Sequence, residues 1–160
     1  MKWEKVKLEK VTLNLDRKRK PLNSRERNKK KSNQKYACLG ANNIVDWIDE
    51  YIFVEKILCI AEDGSDWSYQ KKCSYIYDEK CWVNNHAHVL TSNGKSNLEY
   101  LSYYLNYADL TKFITGTTRG KLTRSALNAI QIPLPPRPTQ KAIAERGDTA
   151  DSLRRTTAEQ

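Results

Sequence analysis

Apolar and polar positions fall along this chain in short blocks of two kinds. The first is a brief apolar run. Ile57-Leu-Cys-Ile-Ala61 is uninterrupted and stops at Glu62-Asp-Gly-Ser65, the pattern of a strand buried on both faces. Tyr36–Leu39, Cys73–Tyr77, Cys81–Val83 and Ala87–Leu90 read as strands too, separated by turn residues such as Gly40, Asn42-Asn43 and Ser92-Asn-Gly94. Ile44, Trp47, Ile48 and Tyr51–Val54 predict short strands around a bend at Asp46–Glu50. The second kind has helical spacing. Leu98, Leu101, Tyr104 and Leu105 follow a capping Asn97, so a helix runs to about Asn106. Shorter helical stretches cover Asp109–Ile114 and Ser125–Ala129, ahead of a last strand at Ile130–Leu134. Near the N-terminus, Trp3, Val6, Leu8, Val11, Leu13 and Leu15 mix the two periods and predict a helical turn and then a strand. The sum is an α+β fold, a single sheet-rich domain with a few short helices.

That domain ends in prolines. Ile130-Gln-Ile-Pro-Leu-Pro-Pro136 can neither prolong a strand ladder nor enter a helix interior. The following Gln140-Lys-Ala-Ile-Ala-Glu-Arg146 has helical composition. The chain therefore divides into a domain at 1–136 and, at 137–160, a proline elbow leading into a protruding helix.

Composition narrows the class. A chain of 160 residues can bury a core, and four Trp and nine Tyr oppose disorder despite 39% hydrophobic content. No run is long and apolar enough to span a membrane, and the N-terminus is charged from Lys2 onward, so cytoplasmic residence is expected. The four cysteines, Cys38, Cys59, Cys73 and Cys81, form no C-x-x-C pair and are read as reduced. A zinc site from Cys73, Cys81, His86 and His88 fits no common ligand spacing.

Charge changes the picture most. Ten of the 28 Lys/Arg and one of the 19 Asp/Glu lie in residues 17–35, so this segment holds the whole net charge of +9 and the remainder is neutral. A basic strap of this kind suits polyphosphate; the bland alternative is a solvated loop that keeps the protein soluble. Pro21 and Asn23-Ser24 suggest a loop with some order.

Reactive chemistry is sparse. Ser65, His86 and Asp63 make no supported triad without a Gly-x-Ser-x-Gly elbow. Glu62 and Asp63 could hold a metal for a small nuclease, though an acid pair before Gly64 more often makes a turn. No Walker loop or Gly-x-Gly-x-x-Gly is present.

Six segments, in order, resemble the target recognition domain of type I restriction–modification specificity subunits. They are Trp3–Leu8, Tyr36–Ile44, Ile57–Gly64, Val83–Leu90, Gly116–Thr118 through Leu127, and the Ile-Pro-Leu-Pro-Pro strand before Gln140-x-x-Ile-Ala-Glu145. The resemblance implies a non-catalytic reader of double-stranded DNA that directs methyltransferase and restriction subunits. S-adenosylmethionine, Mg²⁺ and ATP would be bound by those partners, and this chain would bind none. An interaction protein that competes for the methyltransferase subunit is the alternative, with the metal-dependent nuclease behind it.

On that reading the strap residues Arg17, Lys18, Arg19, Lys20, Arg25, Arg27, Lys29, Lys30 and Lys31 are candidates for phosphate contact. Base-edge candidates are the amides of Asn42 and Asn43 beyond Gly40, with service to the turn as the alternative and the favoured reading for Asn43, and the group Asn84, Asn85 and His86. Strand alternation would put Asn84, His86 and His88 on one face, one histidine being structural. Thr117, Thr118, Arg119 and Lys121, on a Gly-flanked loop, suit phosphate oxygens. In the family two recognition domains are joined by long antiparallel helices. Here Gln140, Ile143, Ala150 and Leu153 would form the subunit interface. Thr139 stands where the family usually has Glu, and Arg146-Gly147 where an apolar pair is common. Gly147 inside the helix costs roughly 1 kcal/mol relative to Ala, so a weak homodimer at best is expected.

Overall fold

The computed structural model describes residues 3–147. Three small sheets share the core. β1 (Lys5–Lys7) pairs antiparallel with the final strand β9 (Gln131–Pro133), with Val6 opposite Ile132. The chain thus starts and finishes its domain on the same two-stranded ribbon. The central sheet has the order β2-β8-β5-β6, from Thr12–Asn14, Ala87–Ser92, Ile57–Ala61 and Ser74–Tyr77, all antiparallel neighbours. The third sheet has the order β4-β3-β7, from Ile44–Ile48, Tyr36–Leu39 and Cys81–Val83, in which β3 and β7 run parallel.

The apolar runs explain this arrangement. Every residue of β5 is buried, because its two faces serve different clusters. Leu58 and Ile60 join the main cluster with Leu101, Leu105, Leu122 and Leu127, while Ile57 and Cys59 join a second with Phe53, Val83 and Val89. A continuous apolar strand is what a two-faced position requires. Helix α2 (Leu98–Tyr107) covers the main cluster, and Asn97 caps it by accepting a hydrogen bond from the Tyr100 N–H at 2.8 Å. α3 (Arg124–Ala129) is capped by Thr123 in the same way and buries Leu127. All four cysteines are free and buried; burial pushes the Cys38 thiol up to about 11 and the thiols of Cys73 and Cys81 up to about 12, so they sit as inert apolar groups. Cys73 and Cys81 lie in different clusters.

Four expectations change. The expected helical turn and strand are the 3-10 turn at Leu8–Lys10 and β2, but a further strand, β1, precedes them. The bend expected over Asp46–Glu50 comes only at Asp49: β4 runs through Asp46, whose charge is met from the strap. Asn84, His86 and His88 do not share a strand face, because β7 ends at Val83 and β8 begins at Ala87. Asn84 and His88 are buried, and His86 is exposed.

The fourth concerns the C-terminal helix. Helical residues 137–147, here α4, lie on the domain and do not project from it along this stretch. Gln140 is 1% exposed; its Oε1 accepts from the Asn97 N–H at 2.8 Å and its Nε2 donates to the Pro135 carbonyl at 2.8 Å. Ala144 is buried, and Ile143 packs against the main cluster. Gly147 touches Tyr103 of α2 so closely that a Cβ there would meet the ring at 2.4 Å. The missing side chain is the condition for close helix approach. Gln140 therefore belongs to the interior and not to a subunit interface, while Ala150 and Leu153 lie outside the described residues.

Candidate nucleic-acid interface

The basic strap is folded and clamped. Asn23 caps a short helix α1 (Ser24–Asn28), and the Asn23 and Glu26 side chains form a reciprocal capping box. Distant residues fasten the strap to the sheets. Asp16, at its root, accepts from the Val89 N–H at 2.8 Å and pairs with His88 at 2.8 Å. Trp82 Nε1 donates to the Lys20 carbonyl at 2.8 Å. The Asn84 amide exchanges two hydrogen bonds with the backbone of Leu22, both at 3.1 Å. Farther along, Asp49 accepts from the N–H groups of Ser32, Asn33 and Gln34; the desolvation it suffers is outweighed by these bonds, and its carboxyl lies below the usual range.

This clamping sorts the candidate cations. Arg19 donates to the carbonyls of Asp16 and Ala87 and pairs with Asp16 and Glu62 at 3.8 and 3.7 Å. Arg27 bonds Asp46 at 3.1 Å and the Leu22 carbonyl at 2.9 Å. Lys31 reaches Asp46 at 2.9 Å; this bond first, and those from the Trp47 N–H and Arg27, hold that carboxyl below its ordinary value. Lys30 pairs with Glu50 at 2.7 Å and lies over the Trp82 ring. Lys18 reaches Glu55 loosely at 3.9 Å. Arg19 and Arg27 are thus strap fasteners, contrary to the expectation of free phosphate contacts. Arg17, Lys20, Arg25 and Lys29 are exposed and make no ion pair among the described residues.

The strap borders an open cleft of about 690 Å³. Pro21–Ser24 and Arg27 form one side; Gly40–Asn43 with Val45, the Asp63-Gly64 turn, Asn84–His86 and Arg119 form the rest. Three of the sequence groups chosen separately therefore meet the strap at one place. The β3–β4 turn is held there by Tyr75, whose hydroxyl donates to the Gly40 carbonyl at 2.6 Å. Asn42 staples this turn to the next: its Nδ2 donates to the Gly64 carbonyl at 3.0 Å, and its Oδ1 accepts from Ser65 at 2.8 Å. Asn43 and Asn85 keep exposed amides that bond to no described side chain or backbone group beyond their own neighbours.

At the far wall Asp63 organises two donors. His86 Nδ1 lies 3.0 Å from its Oδ1, and Arg119 Nη2 lies 3.3 Å from the same atom. Thr117, Thr118 and Lys121 are exposed on the loop that carries Arg119, and of this group Arg119 is the residue that lines the cleft. Glu62 faces Arg19 at 3.7 Å, away from Asp63's partners, so the two acids do not form a joint metal cradle. No group of three or more His, Cys, Asp or Glu among the described residues is placed to hold a metal ion. No helix among them is long and apolar enough to cross a membrane.

Sequence reasoning missed several residues that build this site: Asp16, Trp82, Leu22, Asp46, Asp49 and Tyr75. The Asn23-x-x-Glu26 spacing was a readable signal for α1; the other contacts are long-range and leave no local pattern.

The structure is thus a mixed α+β domain with a cation-flanked, amide-lined cleft. Comparison with known proteins gives the family. Residues 1–160 match the family described as Type I restriction modification DNA specificity domain. The chain belongs to that family. Over 114 residues it is 37% identical to a putative type I restriction enzyme specificity subunit, S.HindORF215P, of Haemophilus influenzae, covering 71% of this chain and 29% of that protein. The fold is similar to that of the S subunit of a type I restriction-modification system from M. genitalium, with a TM-score of 0.68 at 17% identity, over 98% of this chain and 41% of that one. It is also similar to the HsdS subunit from Thermoanaerobacter tengcongensis, with a TM-score of 0.60 at 16% identity, over 94% of this chain and 38% of that one. The chain therefore spans less than half the length of these relatives.

Proposed function

We propose that this chain reads double-stranded DNA sequence-specifically as the recognition part of a type I specificity subunit, gripping phosphates with the strap and probing base edges from the cleft. The observation that carries the reading is the convergence of strap, β3–β4 turn, Asn85-His86 and Arg119 on one open cleft. Phosphate contacts fix register and amide or guanidinium contacts to base edges fix sequence; exposed strap cations near a cleft lined by amides and Arg119 support that division of roles. The chain performs no covalent step in this role. Methyl transfer and cleavage, with S-adenosylmethionine, ATP and Mg²⁺, fall to methyltransferase and restriction subunits.

Selection from duplexes with a randomised central segment tests the proposal. Enrichment of a sequence, with affinity that falls steeply as salt rises, is the expected result. Recovery of an unselected pool overturns it.

A further inference from the structure

We propose that Arg119 reads a guanine in the DNA major groove, held in position by Asp63. The inference rests on the DNA-reading function argued above and names one recognition contact within it.

Arg119 sits on a rigid stem. Thr115 and Lys121 exchange backbone hydrogen bonds at 2.9 and 2.8 Å, which closes the 115–121 loop as a narrow hairpin. The stem is stitched to the end of β5, where Lys121 bridges to Asp63 and the Leu122 N–H donates to the Glu62 carbonyl at 2.8 Å. Gly116 turns the chain at φ +99, and a Cβ there would meet the Arg119 carbonyl at 2.3 Å. A side chain carried by such a stem is aimed by the backbone.

The guanidinium is then fixed by a carboxylate. Arg119 Nη2 approaches Asp63 Oδ1 at 3.3 Å, while the side chain of Arg119 remains 69% exposed and lines the cleft. One terminal nitrogen is engaged, and the rest of the donor fork is left to the solvent.

The presence of Asp63 decides between two uses of the arginine. A phosphate contact gains nothing from a carboxylate behind it, since the negative charge repels the phosphate and cancels the cation. A base contact does gain, because the planar fork must be held in one orientation to match the O6 and N7 acceptors of guanine. The cations Lys20 and Arg25, beside the cleft-lining Pro21–Ser24, have no acid partner among the described residues and are the ones arranged for phosphate. His86 Nδ1 approaches both oxygens of the same carboxylate, at 3.0 and 3.1 Å, and so restrains Asp63. Asp63 is thus a positioning residue, acting through Arg119.

The experiment is a duplex selection with the full chain, run in parallel on wild type, Arg119→Gln, Arg119→Lys and Asp63→Asn. The wild type is expected to enrich a site with at least one invariant guanine. In Arg119→Gln and Arg119→Lys that position relaxes by roughly 5- to 150-fold, and the other positions hold. Asp63→Asn relaxes the same position to a smaller degree. Replacing the guanine by 7-deazaguanine weakens wild-type binding and leaves Arg119→Gln unaffected. A uniform loss of affinity in Arg119→Gln, with every position as strict as in wild type, makes Arg119 a phosphate contact and overturns the inference while leaving DNA reading intact. A wild-type chain that enriches no sequence overturns both.

Discussion

His88 Nδ1 lies 2.8 Å from Asp16 Oδ2, and its Nε2 lies 2.6 Å from the Leu122 carbonyl. The side chain is 0% exposed. The imidazole is thus held at both ring nitrogens, by a carboxylate on one side and a backbone carbonyl on the other. The contacts join three segments that shape the cleft: the strap root through Asp16, the end of β5 through Glu62 at 4.0 Å, and the stem of the Arg119 loop through Leu122. This buried pair is a core device that controls the placement of surface loops. His88→Ala would remove the nearest partner of the buried Asp16, leaving it Arg19 at 3.8 Å and the Val89 N–H, and should cost about 1–3 kcal/mol. Equilibrium urea unfolding measures this, and a loss under 1 kcal/mol removes His88 from the role.

Acid should loosen the same node. Burial raises the Asp16 carboxyl, but the hydrogen bond from His88, the Val89 N–H and the charges of His88 and Arg19 outdo it, and the net direction is below the ordinary 3.8. A carboxyl depressed in the folded state contributes stability that is present above its unfolded value and lost as pH falls through its folded one. Unfolding free energy is therefore expected to drop below about pH 4, and Asp16→Asn should show a shallower acid slope than wild type. Equal slopes in urea titrations between about pH 5 and pH 2 would count against this assignment.

The apolar skeleton was legible because its signals are local. The run at Ile57–Ala61 is a two-faced strand, and Asn97 ahead of the Leu98, Leu101 and Leu105 spacing is a capped helix. The strap was legible as charge and illegible as structure. Its anchors, Asn84, Trp82, Asp46 and Asp49, lie 17 to 62 residues away in sequence, and no periodicity announces such contacts. The continuity of β4 through Asp46 was hidden for the same reason: this polar member is matched by Arg27 and Lys31. At the cleft, the residue types were legible and their roles were not. Asn42 and Asn84 look like free amides, yet both are held in internal hydrogen bonds.

Asn84 provides a test of the clamp. Both ends of its amide serve Leu22, so Asn84→Ala leaves the buried Leu22 N–H unpaired, while the Leu22 carbonyl keeps its bond from Arg27; the cost is about 1–3 kcal/mol. Because the strap carries many basic residues, trypsin should cut within 17–31 faster in the variant than in wild type under native conditions. Unchanged cleavage there would show that other anchors suffice.

Salt dependence separates the fastened cations from the free ones. Lys20 and Arg25 make no ion pair among the described residues, so each can neutralise one phosphate. Replacing both with Ala should flatten the log–log salt slope by about 1.8 and leave folding stability unchanged. Arg27→Ala should instead lower stability, since it breaks the contacts to Asp46 and the Leu22 carbonyl. Fluorescence anisotropy across a salt series and urea unfolding read the two effects. A slope unaffected by the double substitution would move the phosphate track off this part of the strap.

The contact between Gly147 and Tyr103 makes a prediction that opposes helix propensity. Propensity alone favours Gly147→Ala by roughly 1 kcal/mol. The structure places the added methyl 2.4 Å from the Tyr103 ring, so the ring or the helix must shift, and overpacking of that kind costs about 1–3 kcal/mol. The net expectation is destabilisation. Tyr103→Ala removes the obstruction, and in that background Gly147→Ala should become neutral or stabilising, a coupling that a double-mutant cycle reads directly. Gln140 and Ala144 hold the earlier turns of α4 in either background, so the cycle isolates the point where the helix rests on α2. Additive effects of the two substitutions would show that α4 does not rest on Tyr103.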